Sequence, residues 1–183
     1  MSHKKICTIT IIGLMMIVAV AQAETSFEQP ILVTSAGQSV DIKLAGVLLG
    51  RLHIEYTVLP NATSADLEGF KTLLMVPGYS SKGLGAAGVS RDDEIGRVQE
   101  LLAGAATAKV PVLTLHLGGK ARRGVQSDDF NSMAIKDADL AIVVAQGDED
   151  GFFSDLCREQ DVPLEIVKVM ADAMKPLEKA IAK

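Results

Sequence analysis

The side chains best equipped for chemistry fall in three short stretches. One is Ser80-Ser81-Lys82, set among Gly78, Gly83, Gly85 and Gly88. A second is His116-Leu117-Gly118-Gly119-Lys120-Ala121-Arg122-Arg123-Gly124. A third, smaller group is Ser35, Gln38 and Ser39. Glycine N–H groups, hydroxyls, ammonium and guanidinium are the donors that hold a small anion, through backbone bonds and charge-assisted bonds. The predicted ligand-binding set is therefore Ser35, Gln38, Ser39, Gly78, Ser80, Ser81, Lys82, Gly83, His116, Arg122 and Arg123. The expected ligand is a small anionic or polar molecule.

Other chemistries fit less well. Ser80 or Ser81 with His116, oriented by Asp128 or another carboxylate, would be an acyl-transfer arrangement. Gly78-Tyr79-Ser80-Ser81-Lys82 begins like a nucleophile elbow but lacks its closing glycine. These three residues are the catalytic candidates, and a serine hydrolase or transferase is the alternative function. A third reading is a domain whose polar rim docks a protein. Gly83-Leu84-Gly85-Ala86-Ala87-Gly88 matches G-x-G-x-x-G in letters only. It starts seven residues after the preceding apolar run, and Asp92, Asp93 and Glu94 follow, which would repel a pyrophosphate. A Walker A loop fails because Leu84 follows Gly83. Beyond residue 23, His53, His116 and Cys157 are the nitrogen and sulfur ligands, at unrelated spacings, so no metal is expected. Asp148-Glu149-Asp150 reads as a solvated helix start, and Cys157 as a buried small hydrophobe. No cofactor is expected.

These stretches need strands to carry them. Pro30–Ser35, Ile54–Leu59, Leu73–Val76, Val110–Leu115 and Asp139–Ala145 are apolar, β-branched runs of strand length. Pro163–Val167 is a last short strand or an extended segment. Between the runs lie helical segments. Val40, Leu44, Val47 and Leu48 recur at helical spacing and predict the buried face of the first. Ser90 is an N-cap candidate for a helix to about Ala108, with Ile95, Val98, Leu101 and Leu102 inward. Continuous apolar runs belong to strands covered on both faces. The expected fold is a single three-layer α/β domain, a doubly wound, mostly parallel five-stranded sheet, flavodoxin-like or Rossmann-like. In that architecture the loops leaving strand C-termini share one rim.

The ends and the overall charge bound the setting. His3, Lys4 and Lys5 precede the apolar run Ile6–Val20, and Ala21-Gln22-Ala23 is a small-x-small cleavage site. Residues 1–23 read as a secretory signal peptide, with a retained anchor as the alternative, and 24–183 as one domain. Its removal leaves 160 residues, 16 basic against 23 acidic, a net charge near −7. Such a chain is not built to coat nucleic acid, nor a membrane once the signal is gone. Cys7 leaves with the signal, so no internal disulfide can form. The expected location is the bacterial periplasm or the medium.

Thr34-Ser35-Ala36-Gly37-Gln38-Ser39, Ser80–Gly88 and His116–Gly124 together resemble a family of exported bacterial proteins catalogued as a domain of unknown function. The resemblance spans nearly the whole chain after residue 23. It implies an exported single α/β domain and brings no established activity or catalytic residue.

Overall fold

The computed structural model describes residues 26–182. The signal-peptide expectation, residues 1–23, lies outside them. The described chain runs β1 (Ile31–Ala36), α1 (Asp41–Arg51), β2 (Tyr56–Val58), β3 (Thr72–Pro77), α2 (Ser81–Ala87) and α3 (Arg91–Ala108). It continues β4 (Val112–His116), α4 (Val125–Lys136), β5 (Leu140–Val144), α5 (Phe152–Glu159), β6 (Leu164–Val167) and α6 (Met174–Ala180). One parallel sheet has the order β2-β1-β3-β4-β5-β6. The α/β class and the flavodoxin-like order of the first five strands are as expected. The sheet has six strands, however, not five. β6 adds at the far edge in register with β5, Ala141 opposite Leu164 and Val144 opposite Val167. Glu165 and Ile166 stay exposed there, because an edge strand has neighbours on one side only.

The core lies in two layers about the sheet. Ile31, Val33, Leu74, Val76, Leu113, Leu115, Ile142 and Val144 face α1 and α6. The opposite sheet face packs on α3 and α4 through Val98, Leu101, Leu102, Ala105, Phe130 and Ala134. α5 joins that side through Phe153 and Cys157, against Ala141 and Val143. At roughly 25 cal/mol per Å² of buried apolar surface, this double coverage is the main stabilising term.

Two local expectations are corrected. The face of α1 that enters the core is Ile42, Ala45, Leu48 and Leu49; Val40, Leu44 and Val47 face outward. Both faces are apolar, and the sheet takes the one whose small Ala45 and Gly46 allow close approach. Gly46 backs onto Tyr56 and Val58, where an added Cβ would lie 3.3–3.5 Å from their side chains. The glycine-rich stretch is not an open loop. Ser80 caps α2 by accepting the Gly83 N–H at 3.1 Å, Leu84 is buried, and Gly88 closes the helix in the left-handed conformation, φ 71°.

Candidate functional site

The predicted residues lie at or after the C-terminal ends of β1, β3 and β4, which share one edge of the parallel sheet. The β1 and β3 exits pair with each other. Gly78 donates its N–H to Ala36 O, and Ser80 to Gly37 O, each at 2.8 Å, and Gln38 bridges Tyr79. The two exits pack backbone against backbone. Gly37, at φ 98°, passes so close that a Cβ there would lie 2.7 Å from Gly78 O. Gly83 abuts Gln38 O in the same way.

Several predicted donors are already used inside this rim. The buried Ser35 hydroxyl accepts the Ser39 N–H at 3.0 Å, and the Ser39 hydroxyl accepts that of Asp41 at 3.2 Å. Gln38 donates through Nε2 to both carboxylate oxygens of Glu94, each at 3.1 Å. Glu94, 1% exposed, also accepts the Gly37 N–H at 2.9 Å and binds Arg97 through Nε and Nη2 at 2.8 and 2.7 Å. Arg97 reaches on to the carbonyls of Ala62 and Ser35. Glu94 and Arg97 thus hold the β1–α1 turn from beneath. Sequence reasoning read Glu94 only as a charge in the first helical turn; the i, i+3 spacing to Arg97 was the available signal.

His116 ends β4 with no exposed surface. Its Nε2 lies 3.3 Å from Arg122 O, the geometry of an Nε2–H donating to that carbonyl, and its ring packs 4.6 Å from Phe153. Nδ1 faces Gly147 and has no hydrogen-bond partner among the described residues. Burial pushes the imidazole pKa down to about 4, so it is neutral at pH 7. Among the described residues no hydrogen bond joins His116 to a serine. Ser80 is spent on its cap, and Ser81 stands exposed in the first turn of α2.

The two arginines differ. Arg123 is fully engaged: Nε with Asp128 at 2.8 Å, Nη1 with Gly147 O and Asp150, Nη2 with Asp128 and Asp150. Its guanidinium lies 4.2 Å from the Phe152 ring centroid. The hydrogen bond from Arg123 holds the Asp150 carboxyl down to about 2. Arg123 therefore ties the loop after β4 to the loop after β5. Arg122 makes one side-chain bond, Nε to Asp41 Oδ2 at 2.9 Å. Its stem lies across Gly78 and Gly118, where added Cβ atoms would sit 2.9 and 2.0 Å from it. Its Nη1 and Nη2 groups carry no hydrogen bond among the described residues, and the side chain is 23% exposed. Nothing in the sequence pairs Asp41 with Arg122 across 81 positions. Lys82 is exposed beside Ser81 and makes no ion pair among the described residues, whereas Lys120 lies 3.6 Å from Glu149.

No group of three or more His, Cys, Asp or Glu among the described residues could hold a metal ion. None of the described helices is long and apolar enough to cross a membrane.

A search of curated proteins finds no match. Among solved structures, the chain is similar to AlinE4, an SGNH-hydrolase family esterase, at 14% identity and TM-score 0.32, covering 88% of this chain and 86% of that one. It is also similar to a GDSL-like lipase from Bacteroides thetaiotaomicron VPI-5482, at 8% identity and TM-score 0.36, covering 80% and 72%. Both likenesses are too distant to speak to activity. At the level of sequence, a family model described as "Domain of unknown function (DUF6305)" matches residues 28–181, and the chain belongs to that family.

Proposed function

We propose that the chain is an exported binding domain that holds a small carboxylate or similarly shaped polar anion on the C-terminal rim of its sheet. The observation that carries this reading is the Arg122 side chain. Its Nε is fixed by the buried Asp41, its stem is laid over Gly78 and Gly118, and its two Nη groups have no acceptor among the described residues. A guanidinium restrained in this way presents a planar pair of donors to a carboxylate with little ordering left to do. Lys82 and the Ser81 hydroxyl on the neighbouring helix would add charge and a further donor. Arg123 and His116 brace the loop from behind and touch no ligand directly. Asp41 already balances the charge of Arg122, so the site suits a singly charged or polar molecule better than a polyphosphate.

Isothermal titration of the full chain against small carboxylates and inorganic phosphate tests the reading. Arg122→Lys keeps the charge but loses the fork, and should weaken a measured affinity at least about tenfold. Lys82→Ala should weaken it less and leave stability unchanged. Unaltered affinity in Arg122→Lys would refute the assignment. Labelling by a fluorophosphonate probe, abolished by Ser80→Ala or Ser81→Ala, would instead establish the serine-hydrolase alternative.

A further inference from the structure

The Asp41–Arg122 pair is satisfied on one side only. Arg122 Nε donates to Asp41 Oδ2 at 2.9 Å. Nη1 and Nη2 on the guanidinium, and Oδ1 on the carboxylate, make no hydrogen bond among the described residues. None of the three is sealed in, because the buried side-chain atoms that lack a partner there are His116 Nδ1 and Asn131 Oδ1. The two side chains keep 23% and 10% of their surface. A forked donor and an acceptor therefore open to solvent within one ion pair. Gly118 makes room for the pair. A Cβ there would lie 2.5 Å from Asp41 Oδ2 and 2.0 Å from the Arg122 stem, although its backbone is ordinary right-handed, φ −77°. Behind the pair, the Arg122 carbonyl accepts from His116 Nε2 at 3.3 Å and from Asn131 Nδ2 at 3.0 Å, and both donors are fully buried. Both lone pairs of that carbonyl are used, which fixes the backbone under the guanidinium.

We infer that the ligand of this site is an α-amino acid bound as its zwitterion, carboxylate on the Arg122 Nη fork and ammonium on Asp41 Oδ1. This rests on the reading of Arg122 as the donor to an anion, and narrows the class of ligand. Charge selects the zwitterion. The pair is neutral as a whole, and among the described residues no ion pair joins Asp41 to Lys82. Asp128 is already bound to Arg123. A plain carboxylate that docks on Arg122 comes close to the Asp41 carboxylate, and the two repel. An ammonium on the same ligand offsets that repulsion and gives Oδ1 the charged donor it lacks. A hydroxyl in its place gives the donor without the charge. Because Asp41 and Arg122 touch, the two ligand charges must lie close together, as they do when one carbon separates them.

Isothermal titration of the full chain with glycine, glycolate and acetate tests this. The three share a carboxylate and differ in one group, and glycine has no side chain to clash with the rim. In the parent chain glycine should bind at least about tenfold tighter than acetate, with glycolate between them. That comparison depends on no variant. Asp41→Asn keeps an oxygen for Arg122 Nε and removes the charge. There the order should invert, with glycine weakened at least about tenfold and acetate tightened; tighter acetate binding also shows that the variant is folded. Equal binding of glycine and acetate in the parent chain, both weakened by Arg122→Lys, would leave the anion site standing and overturn the amino-acid ligand. A glycine preference that persists unchanged in Asp41→Asn would overturn it as well, since Asp41 would not be the partner of the ammonium. Binding of none of the three, or binding that Arg122→Lys does not alter, would overturn the reading of Arg122 itself and the amino-acid ligand with it.

Discussion

Removing the Glu94 carboxylate tests whether the rim is held from beneath as the structure indicates. In Glu94→Ala, the Gly37 N–H and Gln38 Nε2 lose their carboxylate acceptor, and Arg97, 14% exposed, is left without its counter-charge. Breaking one partner of a buried ion pair costs about 3–5 kcal/mol, because the remaining charge stays desolvated. At roughly 3 °C per kcal/mol for a domain of this size, the melting temperature should fall by about 12 °C. Urea denaturation followed by circular dichroism gives the free energy directly. Removing both partners is less costly than the sum, since no unpaired charge remains; Glu94→Ala with Arg97→Ala should show a coupling of about 2 kcal/mol. A Glu94→Ala cost below about 1 kcal/mol, or strict additivity in the double variant, would refute the argument that this pair is buried and mutually compensating.

Three further outcomes are expected. His116 is neutral in the folded state, its pKa lowered to about 4 by burial, against an ordinary 6.5. Its effect on stability is nil above pH 6.5, and destabilisation grows as the pH falls through 6.5 towards 4. The full loss is roughly 3 kcal/mol, and urea titrations at pH 7 and pH 4 should show it in the parent chain but not in His116→Gln. Arg123→Ala should return the Asp150 carboxyl from about 2 towards the ordinary range, read by carbon-13 chemical shift against pH. Gly37→Ala places a Cβ 2.7 Å from Gly78 O at φ 98°, and should cost about 2–3 kcal/mol in chemical denaturation.

The strands were legible because burial on both faces writes them as unbroken apolar runs. Thr72–Pro77 and Leu140–Val144 lie at or within a residue or two of the expected spans. The Ser90 cap was legible because it is local chemistry: its hydroxyl accepts the Asp93 N–H at 3.1 Å and Asp93 bonds back. The shared rim followed from topology, since parallel strands send their C-termini to one edge. β6 was ambiguous because it is four residues long at the sheet's edge, with Glu165 and Ile166 both exposed and Val167 alone buried.

Local sequence could not choose between two apolar faces of α1; only the sheet beneath, with Tyr56 and Val58 against Gly46, selects the face bearing Ala45. Nor could it tell which rim cations remain available. Arg122 and Arg123 are adjacent and chemically identical, yet Arg123 is consumed by Asp128 and Asp150 while the Nη groups of Arg122 have no partner among the described residues. That difference is made by Asp128, one helical turn into α4, and by Asp150 in the loop after β5, both of which reach Arg123 and not Arg122. Sequence determines which groups a chain can offer, and long-range packing determines which of them are already satisfied when the chain is folded.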